Sequence, residues 1–549
     1  MLRRLATLYI QNRFYRKSEL GHFNIKQSLL DQNMLDTALS INSSFPSLQM
    51  FWDILDPENV LTDTASLCDY QTATFTTSQQ VLAVLKPVDV SQIQACVKVA
   101  NQYKTPIYPI SGGKNWGLGS RVPVQDSCII LDLSRLNRIL DFNEKLAYIT
   151  VEPGVTFKQV YEFLRQQNSN LFLSVIGGSP DASLIGNTLE RGDGIGPYGE
   201  RAAHVCGFEV ILPTGECIHT GFGRFANASA TPVSRWGVGP ATDGLFTQSN
   251  LGIVTKMTFW LRPLPKFFQV FTCSIPDLAY LSGLLDAIQP LMLQEIIQGN
   301  CCSVWNSYKI LARQGRYPWK VMGGKTPLDL KELQRFERWV GSAAIYSASR
   351  EQGLAQRQII EQALAGKVEE LIFADDDTHP ELREDDLFLG IPSNQNVKST
   401  YWRKKSQIPS QLNPDSDRCG VLWLCPVFPF DGEVISPAIK AITETVKKYN
   451  FEPNLSMNLN SARSVHLFIA IMFDREVAGE DERAMSCHDE LLQMLTQSGH
   501  IPYRLGIQSM NSLPPAQDDY GFFLRTLKQA LDPNDILAPG RYDFRNDWK

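Results

Sequence analysis

Ser111-Gly-Gly-Lys-Asn-Trp-Gly-Leu-Gly119 is the stretch on which the reading of this chain turns. It follows Pro106-Ile-Tyr-Pro-Ile110, a short strand-like run, and glycines in that place let backbone N–H groups approach and cradle a phosphate. It is not a Walker loop, because no Gly-Lys followed by Ser or Thr stands at the required spacing, and it does not fit the GxGxxG dinucleotide pattern. Taken alone, the string reads as an ordinary tight turn.

Upstream, Val81 to Pro87 reads as a strand, and Asp89-Val-Ser-Gln92 as a helix start in which the acid caps and Gln92 reaches back. Val90, Ile93, Val97 and Ala100 then share one helical face. Downstream, Cys128-Ile-Ile-Leu-Asp-Leu133 is the short apolar run of a buried strand. Leu146 to Val151 is another strand, and Thr156 with Gln159 makes a second capping box for a helix from Phe157 to Gln167. Gly207 to Thr220 places Pro213-Thr-Gly215 between two strand-like runs, as a hairpin would. This mixed α+β region closes near Pro263-Leu-Pro265. Beyond it the pattern shifts to longer helices, such as Lys331 to Gly341 and Arg350 to Ala365, with isolated strands and an acidic loop at Asp375-Asp-Asp377. Consecutive aspartates on a flexible segment do not converge their carboxylates, so that loop reads as solvated rather than metal-binding.

Composition sets the outer limits. With 549 residues, 43% of them apolar, the chain can bury a large core and is expected to form more than one domain. Its 52 basic and 58 acidic side chains leave a net charge of −6, which gives no broad attraction for nucleic acid. The 11 cysteines are scattered, without CxxC pairs or Cys/His clusters at zinc spacing, so neither a metal nor a disulfide framework is expected. No apolar run approaches the about 18 residues a membrane-spanning helix needs. The N-terminal MLRRLATLYIQNRFYRKS is basic and lacks a secretory signal pattern. We read it as a basic helix against the body or a partner, and the protein as cytoplasmic. A transit peptide or membrane-surface helix, giving an organellar or membrane-peripheral location, is the alternative.

Further strings decide what the glycine-rich loop is for. Gly186-Asn-Thr-Leu-Glu-Arg-Gly192, followed by Pro197-Tyr-Gly199, Gly239 to Val254 (GPATDGLFTQSNLGIV), and Leu531-Asp-Pro-Asn-Asp-Ile-Leu-Ala-Pro-Gly540 occur in this order. Together with the loop they resemble the vanillyl-alcohol oxidase and p-cresol methylhydroxylase family from about residue 80 to the C-terminus. That resemblance implies an α+β protein with a PCMH-type FAD-binding domain of two α/β subdomains, plus a cap whose antiparallel sheet, flanked by helices, roofs the flavin. The boundaries expected are a basic segment at 1–50, the FAD domain at 51–265, the cap at 266–502, and a C-terminal piece at 503–549 that completes the FAD domain.

The same resemblance implies FAD contacts at Ser111, Gly112, Gly113, Asn115, Gly186, Asn187, Gly252 and Val254, mostly through backbone atoms. Preorganised amides can hold two phosphates without a buried lysine, so Lys114 is expected to be peripheral. Some relatives attach FAD covalently through a histidine in this loop, or through a histidine or tyrosine of the cap. Here the loop has no histidine and the cap position falls on Val421, so noncovalent FAD is expected. Phenol-oxidising relatives hold a phenolate with two tyrosines and an arginine. Tyr503 and Arg504 match one tyrosine and the arginine, Leu118 stands for the other tyrosine, and Gly178 stands at or near an active-site aspartate.

Tyr503, Arg504 and His466 are therefore the catalytic candidates, with Arg504 equally able to hold a carboxylate bidentately and His466 either a base or a core histidine. Leu118, Gly178, Ile195, Trp423 and Phe468 are expected to shape the substrate pocket. Gly177 leaves a path to the ring for oxygen, or is simply a turn glycine. Glu190 and Arg191 are expected to pair with each other, and His204, His219 and His488 to be structural or surface residues.

The activity this predicts is hydride transfer from a phenolic, benzylic-alcohol or related small organic substrate to flavin N5, with reoxidation by oxygen or an electron carrier. A cytochrome partner and a homodimer are both compatible with the resemblance. The alternatives are a 2-hydroxy-acid dehydrogenase and a degenerate flavin-binding protein without turnover. Nothing in the sequence indicates a nicotinamide cofactor.

Overall fold

The computed structural model describes residues 46–319, 338–384, 386–512 and 518–542. The basic segment from Met1 to Ser18 lies outside them. The chain divides into two compact units, 1–54 and 55–549. In the first, helix α1 (Pro46–Ile54) buries Leu48 and Phe51.

The second unit begins with strands β1 (Val60–Leu61), β2 (Val81–Leu85), β3 (Ile107–Ile110) and β4 (Cys128–Asp132). They form a sheet in the order β1-β2-β4-β3, in which β2, β4 and β3 run parallel. Parallel neighbours need a crossover, and helix α2 (Val90–Tyr103) supplies it between β2 and β3. Asp89 caps α2 by accepting from Gln92 N, and Gln92 Oε1 accepts from Val88 N in return, which completes the predicted box. Ile93, Val97 and Ala100 are fully buried on its inner face.

The next strands are β5 (Ile139–Asn143), β6 (Tyr148–Val151), β7 (Leu171–Phe172), β8 (Val205–Ile211), β9 (Cys217–His219), β10 (Ile253–Trp260) and β11 (Arg262–Pro263). Five of these form an antiparallel sheet, β5-β6-β10-β8-β9, and β7 pairs with β11. The predicted hairpin is β8 with β9. Two helices pack here, α3 (Phe157–Gln166) and the short α4 (Leu184–Leu189). Thr156 caps α3 as expected, but Gln159 donates to Asn137 O instead of reaching back, so that capping box is only half made.

All remaining strands belong to one eight-stranded antiparallel sheet: β12 (Phe267–Ile275), β13 (Cys302–Asn306), β14 (Trp339–Ser347), β15 (Glu370–Asp375), β16 (Cys419–Leu424), β17 (Val427–Pro429), β18 (Asn454–Asn458) and β19 (Ser464–Asp474). Of the helix expected over Lys331 to Gly341, residues 331–337 lie outside the described ones, and Trp339-Val-Gly341 instead opens β14. That strand is paired on both sides, with β12 and β13. Ladder pairing along nine residues outweighs the weak helical preference of the segment.

Side chains alternate across this sheet. On one face Val304, Leu455, Leu467, Ile469, Leu422 and Leu424 enter a single apolar core. That core also takes residues from helices α5 (Leu281–Leu293), α7 (Arg350–Leu364), α8 (Gly432–Lys448) and α9 (Glu480–Gln497). Helix α6 (Ser307–Gln314) lies between α5 and α7 in the chain and packs on β13 and β18. The opposite face carries Ser303, Trp305, Trp423, Ser456, Asn458 and Phe468, all of which line a cavity. The acidic triplet is not a solvated loop. Asp375 ends β15 in a buried position and accepts from Thr378, Asp376 pairs with Arg383, and Asp377 pairs with Arg350.

Helix α10 (Asp519–Leu531) leads into the last quoted string, which returns to the first sheet. Ile107 N donates to Ile536 O at 2.7 Å, and Ala538 N to Ile107 O at 2.8 Å. Lys528 Nζ donates to Asn250 O and Leu537 O, so the Gly239–Val254 and Leu531–Gly540 strings are tied together by one buried lysine.

Candidate active site

One cavity of about 1120 Å³ runs between the two smaller sheets and the polar face of the large one. Its lower wall is backbone. Ser111 to Asn115, the strand-like Ile176-Gly-Gly178, the start of α4, and Gly252 to Val254 all line it, so every residue expected to contact FAD lies on this surface. Ser183 caps α4 by accepting from Gly186 N, and its hydroxyl donates to Pro153 O. A Cβ at Gly186 would run into Ser111 Oγ, so that hydroxyl would have to move aside. Helix and loop meet with only backbone between them, a cradle that suits a pyrophosphate. Lys114 is not peripheral as expected: it lines the cavity, half-buried over the Trp116 ring at 5.3 Å, and burial lowers its ammonium pKa.

Charged groups frame this wall. Glu190 does not pair with Arg191. It pairs with Arg541 at 2.6 Å and accepts from Tyr542 Oη at 3.1 Å, whereas Arg191, in the left-handed region at φ 49°, turns to Thr247. Arg201 is buried and holds the next turn through Asn187 Oδ1 and Gly192 O. Burial pushes its guanidinium down to about 10, which leaves it cationic at neutral pH.

The upper end is built from side chains. Tyr503 and Arg504 follow β19 and α9 in the chain and line the cavity together with Gly178, Ile195, Trp423 and Phe468. Tyr503 Oη and Arg504 Nε are buried and make no hydrogen bond of good geometry among the described residues, although the backbone of Asp193 lies close to the Tyr503 hydroxyl. Such orphans are costly unless a ligand satisfies them. Burial pushes the Tyr503 hydroxyl far above its ordinary range, so it remains a proton donor. Phe468 meets Tyr503 edge-on at 6.4 Å, and Trp423 meets Phe468 the same way at 6.4 Å.

His466 does not line the cavity. Its pairing with Asn458 puts it on the cavity-facing side of the sheet, where it stacks on the Tyr503 ring at 4.5 Å. Its Nδ1 lies 2.9 Å from Asp193 Oδ2, which also accepts from Asn458 Nδ2. Asp193 does line the cavity, and sequence reasoning missed it. The signal was available, an acid held between Gly192 and Gly194 directly after a cofactor string. Gly178, where an acid was sought, faces the cavity without one, and Asp193 brings a carboxylate to it from another segment.

Leu118 is a correction: it is 2% exposed and absent from the cavity wall. Glycines at positive φ on either side, Gly117 at 79° and Gly119 at 116°, turn the loop at this point, and Trp423 packs against Gly117. Val421 is likewise buried, packed with Tyr317, Trp402 and Met472 rather than open to the cavity. Beside Gly177 a Cβ would meet Asn396 Nδ2 at 2.9 Å, so the path imagined there is closed by a side chain. His488 is buried between Asp489 and Ser509, and His204 stacks on Tyr198. On the β8/β9 hairpin Glu209, Cys217 and His219 bring ligand atoms within 4.8 Å of one another, but Glu209 already pairs with Lys256 at 3.1 Å.

Residues 81–221 match the FAD binding domain family. A 1'-carboxy-chondrochloren decarboxylase from Chondromyces crocatus is 43% identical over 91% of this chain and 98% of its own length. The 4-cresol dehydrogenase [hydroxylating] flavoprotein subunit of Pseudomonas putida is 31% identical over 91% of this chain and 96% of its own. The crystal structure of p-cresol methylhydroxylase with substrate bound superposes with a TM-score of 0.83 at 30% identity, covering 92% of this chain and 98% of that one. The chain belongs to the p-cresol methylhydroxylase-type flavoproteins. It is an FAD-dependent oxidoreductase, and the strings Ser111–Gly119 and Gly186–Gly192 fall within the matched FAD binding domain. As in the sequence reading, no helix among the described residues is long and apolar enough to cross a membrane.

Proposed function

We propose that this flavoprotein oxidises a para-substituted phenol at the carbon attached to the ring. The observation that carries the reading is the pair of orphaned buried donors, Tyr503 Oη and Arg504 Nε, at the side-chain end of the cavity. Bound FAD supplies the hydride acceptor, N5 of its ring. Tyr503 and Arg504 hold the phenolic oxygen and stabilise it as phenolate, and negative charge there helps expel hydride from the para carbon. Phe468 and Trp423 flank the aromatic ring. Asp193 with His466 forms a carboxylate–imidazole pair beside the Tyr503 ring that can take up the phenol proton.

The cofactor is held without a covalent bond. Val421, at the cap position expected to carry the linking residue, cannot form one, and the glycine-rich loop contains no histidine. Acid precipitation should leave the yellow chromophore in the supernatant, and a coloured pellet would refute this point. Reduced flavin passes its electrons to oxygen or to a carrier protein.

A second reading is favoured by the Chondromyces relative, a decarboxylase of a carboxylated substrate. Removing hydride from the ring-attached carbon of a phenolate leaves a quinone methide. If the neighbouring carbon bears a carboxylate, CO2 can depart and leave its bonding pair to form the C=C bond and restore the phenolate. Two electrons reach the flavin, and oxygen or the carrier removes them.

Anaerobic titration of the holoenzyme with 4-alkylphenols, aryl alcohols and 2-hydroxy acids tests the class of substrate. Bleaching of the flavin by the phenols is expected, and in Arg504→Ala its rate should fall about 100- to 1000-fold. Bleaching by 2-hydroxy acids alone would replace the phenol reading with the dehydrogenase one.

A further inference from the structure

Lys309 is a buried cation facing the same cavity, and no acid pairs with it. It is 7% exposed, sits in the first turn of α6 and makes no ion pair among the described residues. The three acids that line the cavity are committed elsewhere. Glu190 pairs with Arg541, Asp193 lies against His466, and Asp386 accepts from Phe388 N. Lys309 rests instead on two indole faces, 5.1 Å from the Trp423 centroid and 5.9 Å from that of Trp305.

The indole faces favour a charge at this place, but the larger local effects oppose it. Burial disfavours it, the first turn of a helix carries the positive end of its dipole, and Arg313 adds a second cation one turn further on. A lysine packed only for its stem would snorkel its head to water. Here the head turns inward, and a cavity-facing ammonium in such surroundings requires an anion to complete it.

Its position relative to the phenol end is set by a row of rings. Tyr503 touches Phe468, Phe468 touches Trp423, and Trp423 carries the ammonium. The Cys425 thiol lies within the field of both Arg504 and Lys309, so the two cations flank one short stretch of wall. A phenol anchored at Tyr503 and Arg504 and lying along these rings directs its para side chain toward Lys309.

We propose that Lys309 forms a carboxylate-binding subsite, and that the physiological substrate is a para-substituted phenol whose side chain bears a carboxylate. This assignment rests on the phenol reading for the orientation of the substrate, but not for the existence of the anion site. It gives Arg504 and Lys309 separate duties, one at each end of the molecule.

The test is calorimetric binding of 3-(4-hydroxyphenyl)propanoate and its uncharged amide to the holoenzyme. The acid should bind about 10- to 100-fold tighter than the amide. Lys309→Met should remove that preference without changing amide affinity, and Lys309→Arg should restore it. Burial lowers the Lys309 pKa to about 8, so acid affinity should fall about tenfold per pH unit above that value in the wild type and stay level in Lys309→Arg. The titratable groups that act on it are Arg313 and Cys425, whose thiol burial pushes up to about 12.

An unchanged acid-to-amide ratio in Lys309→Met, or no preference in the wild type, would overturn the subsite. Bleaching by neutral 4-ethylphenol judges the phenol reading separately. If that phenol bleaches both proteins while the ratio stays fixed, only the Lys309 assignment falls. If it bleaches neither while 3-phenylpropanoate still binds better than its amide in a Lys309-dependent way, the subsite stands and the phenol anchor falls.

Discussion

The two walls of the cavity are made differently. The wall proposed for the cofactor is built from short contiguous strings, Ser111 to Asn115, the start of α4 and Gly252 to Val254. The wall proposed for the substrate is side chain, in which Trp423 and Phe468 come from alternate positions of the large sheet while Asp193, Lys309, Tyr503 and Arg504 come from a loop, helix α6 and the segment after α9. A backbone site tolerates no added atoms but little depends on which polar side chains surround it. A side-chain site keeps its shape through many substitutions but changes its chemistry with each one.

Substitutions on the two walls should therefore fail in different ways. The largest effect is expected on the backbone wall. Gly186→Val places a branched side chain against Ser111 and Ser183, costing about 1–3 kcal/mol in overpacking and yielding protein without a flavin band. A yellow, fully loaded Gly186→Val enzyme would break the distinction.

On the opposite wall, Asp193→Asn should keep its full complement of FAD while the rate of flavin reduction falls about 100-fold. His466→Gln should cost a similar factor, and the double variant little more, because the pair acts as a unit. Additive losses in stopped-flow reduction would show instead that the two residues act independently.

The smallest effect should have the opposite sign. Burial depresses Lys309 to about 8, so below that pH the fold carries the cost of a desolvated charge that the unfolded chain does not. Lys309→Met should then be more stable than wild type at pH 7 by on the order of 1–3 kcal/mol, with the gain shrinking as pH rises from about 8 toward the ordinary lysine range near 10.4. Denaturant melts at pH 7 and pH 10 measure it. A variant less stable at pH 7 would mean that Lys309 is already paired within the protein.

The same contrast explains what could be read from the sequence. Glycine strings announce themselves because a phosphate cradle requires a fixed spacing of small residues, and every FAD contact proposed from them faces the cavity. Hairpin, caps and crossover helix were legible for the same reason, being local. Leu118 was misplaced because loop direction depends on the positive φ of Gly117 and Gly119, which alignment to relatives does not report. Asp193 and Lys309 stayed hidden because their meaning lies in partners remote in sequence, one having His466 and the other having no acid at all. Trp339 to Gly341 was read as helix because its strand neighbours β12 and β13 are supplied from elsewhere in the chain.

The tie between Ile107 and the segment Ile536–Ala538 has a consequence for biosynthesis. The sheet beside the glycine-rich loop is completed by Ile536–Ala538, far downstream of Ile107 in sequence, and Lys528 fastens that segment to Asn250. A nascent chain, however far its earlier segments have folded, holds an open edge where the cofactor belongs. FAD capture is thus expected to wait until this segment has emerged, and a ribosome-stalled chain ending before Pro533 should stay colourless in FAD-replete extract while a chain that includes Ile536–Ala538 turns yellow.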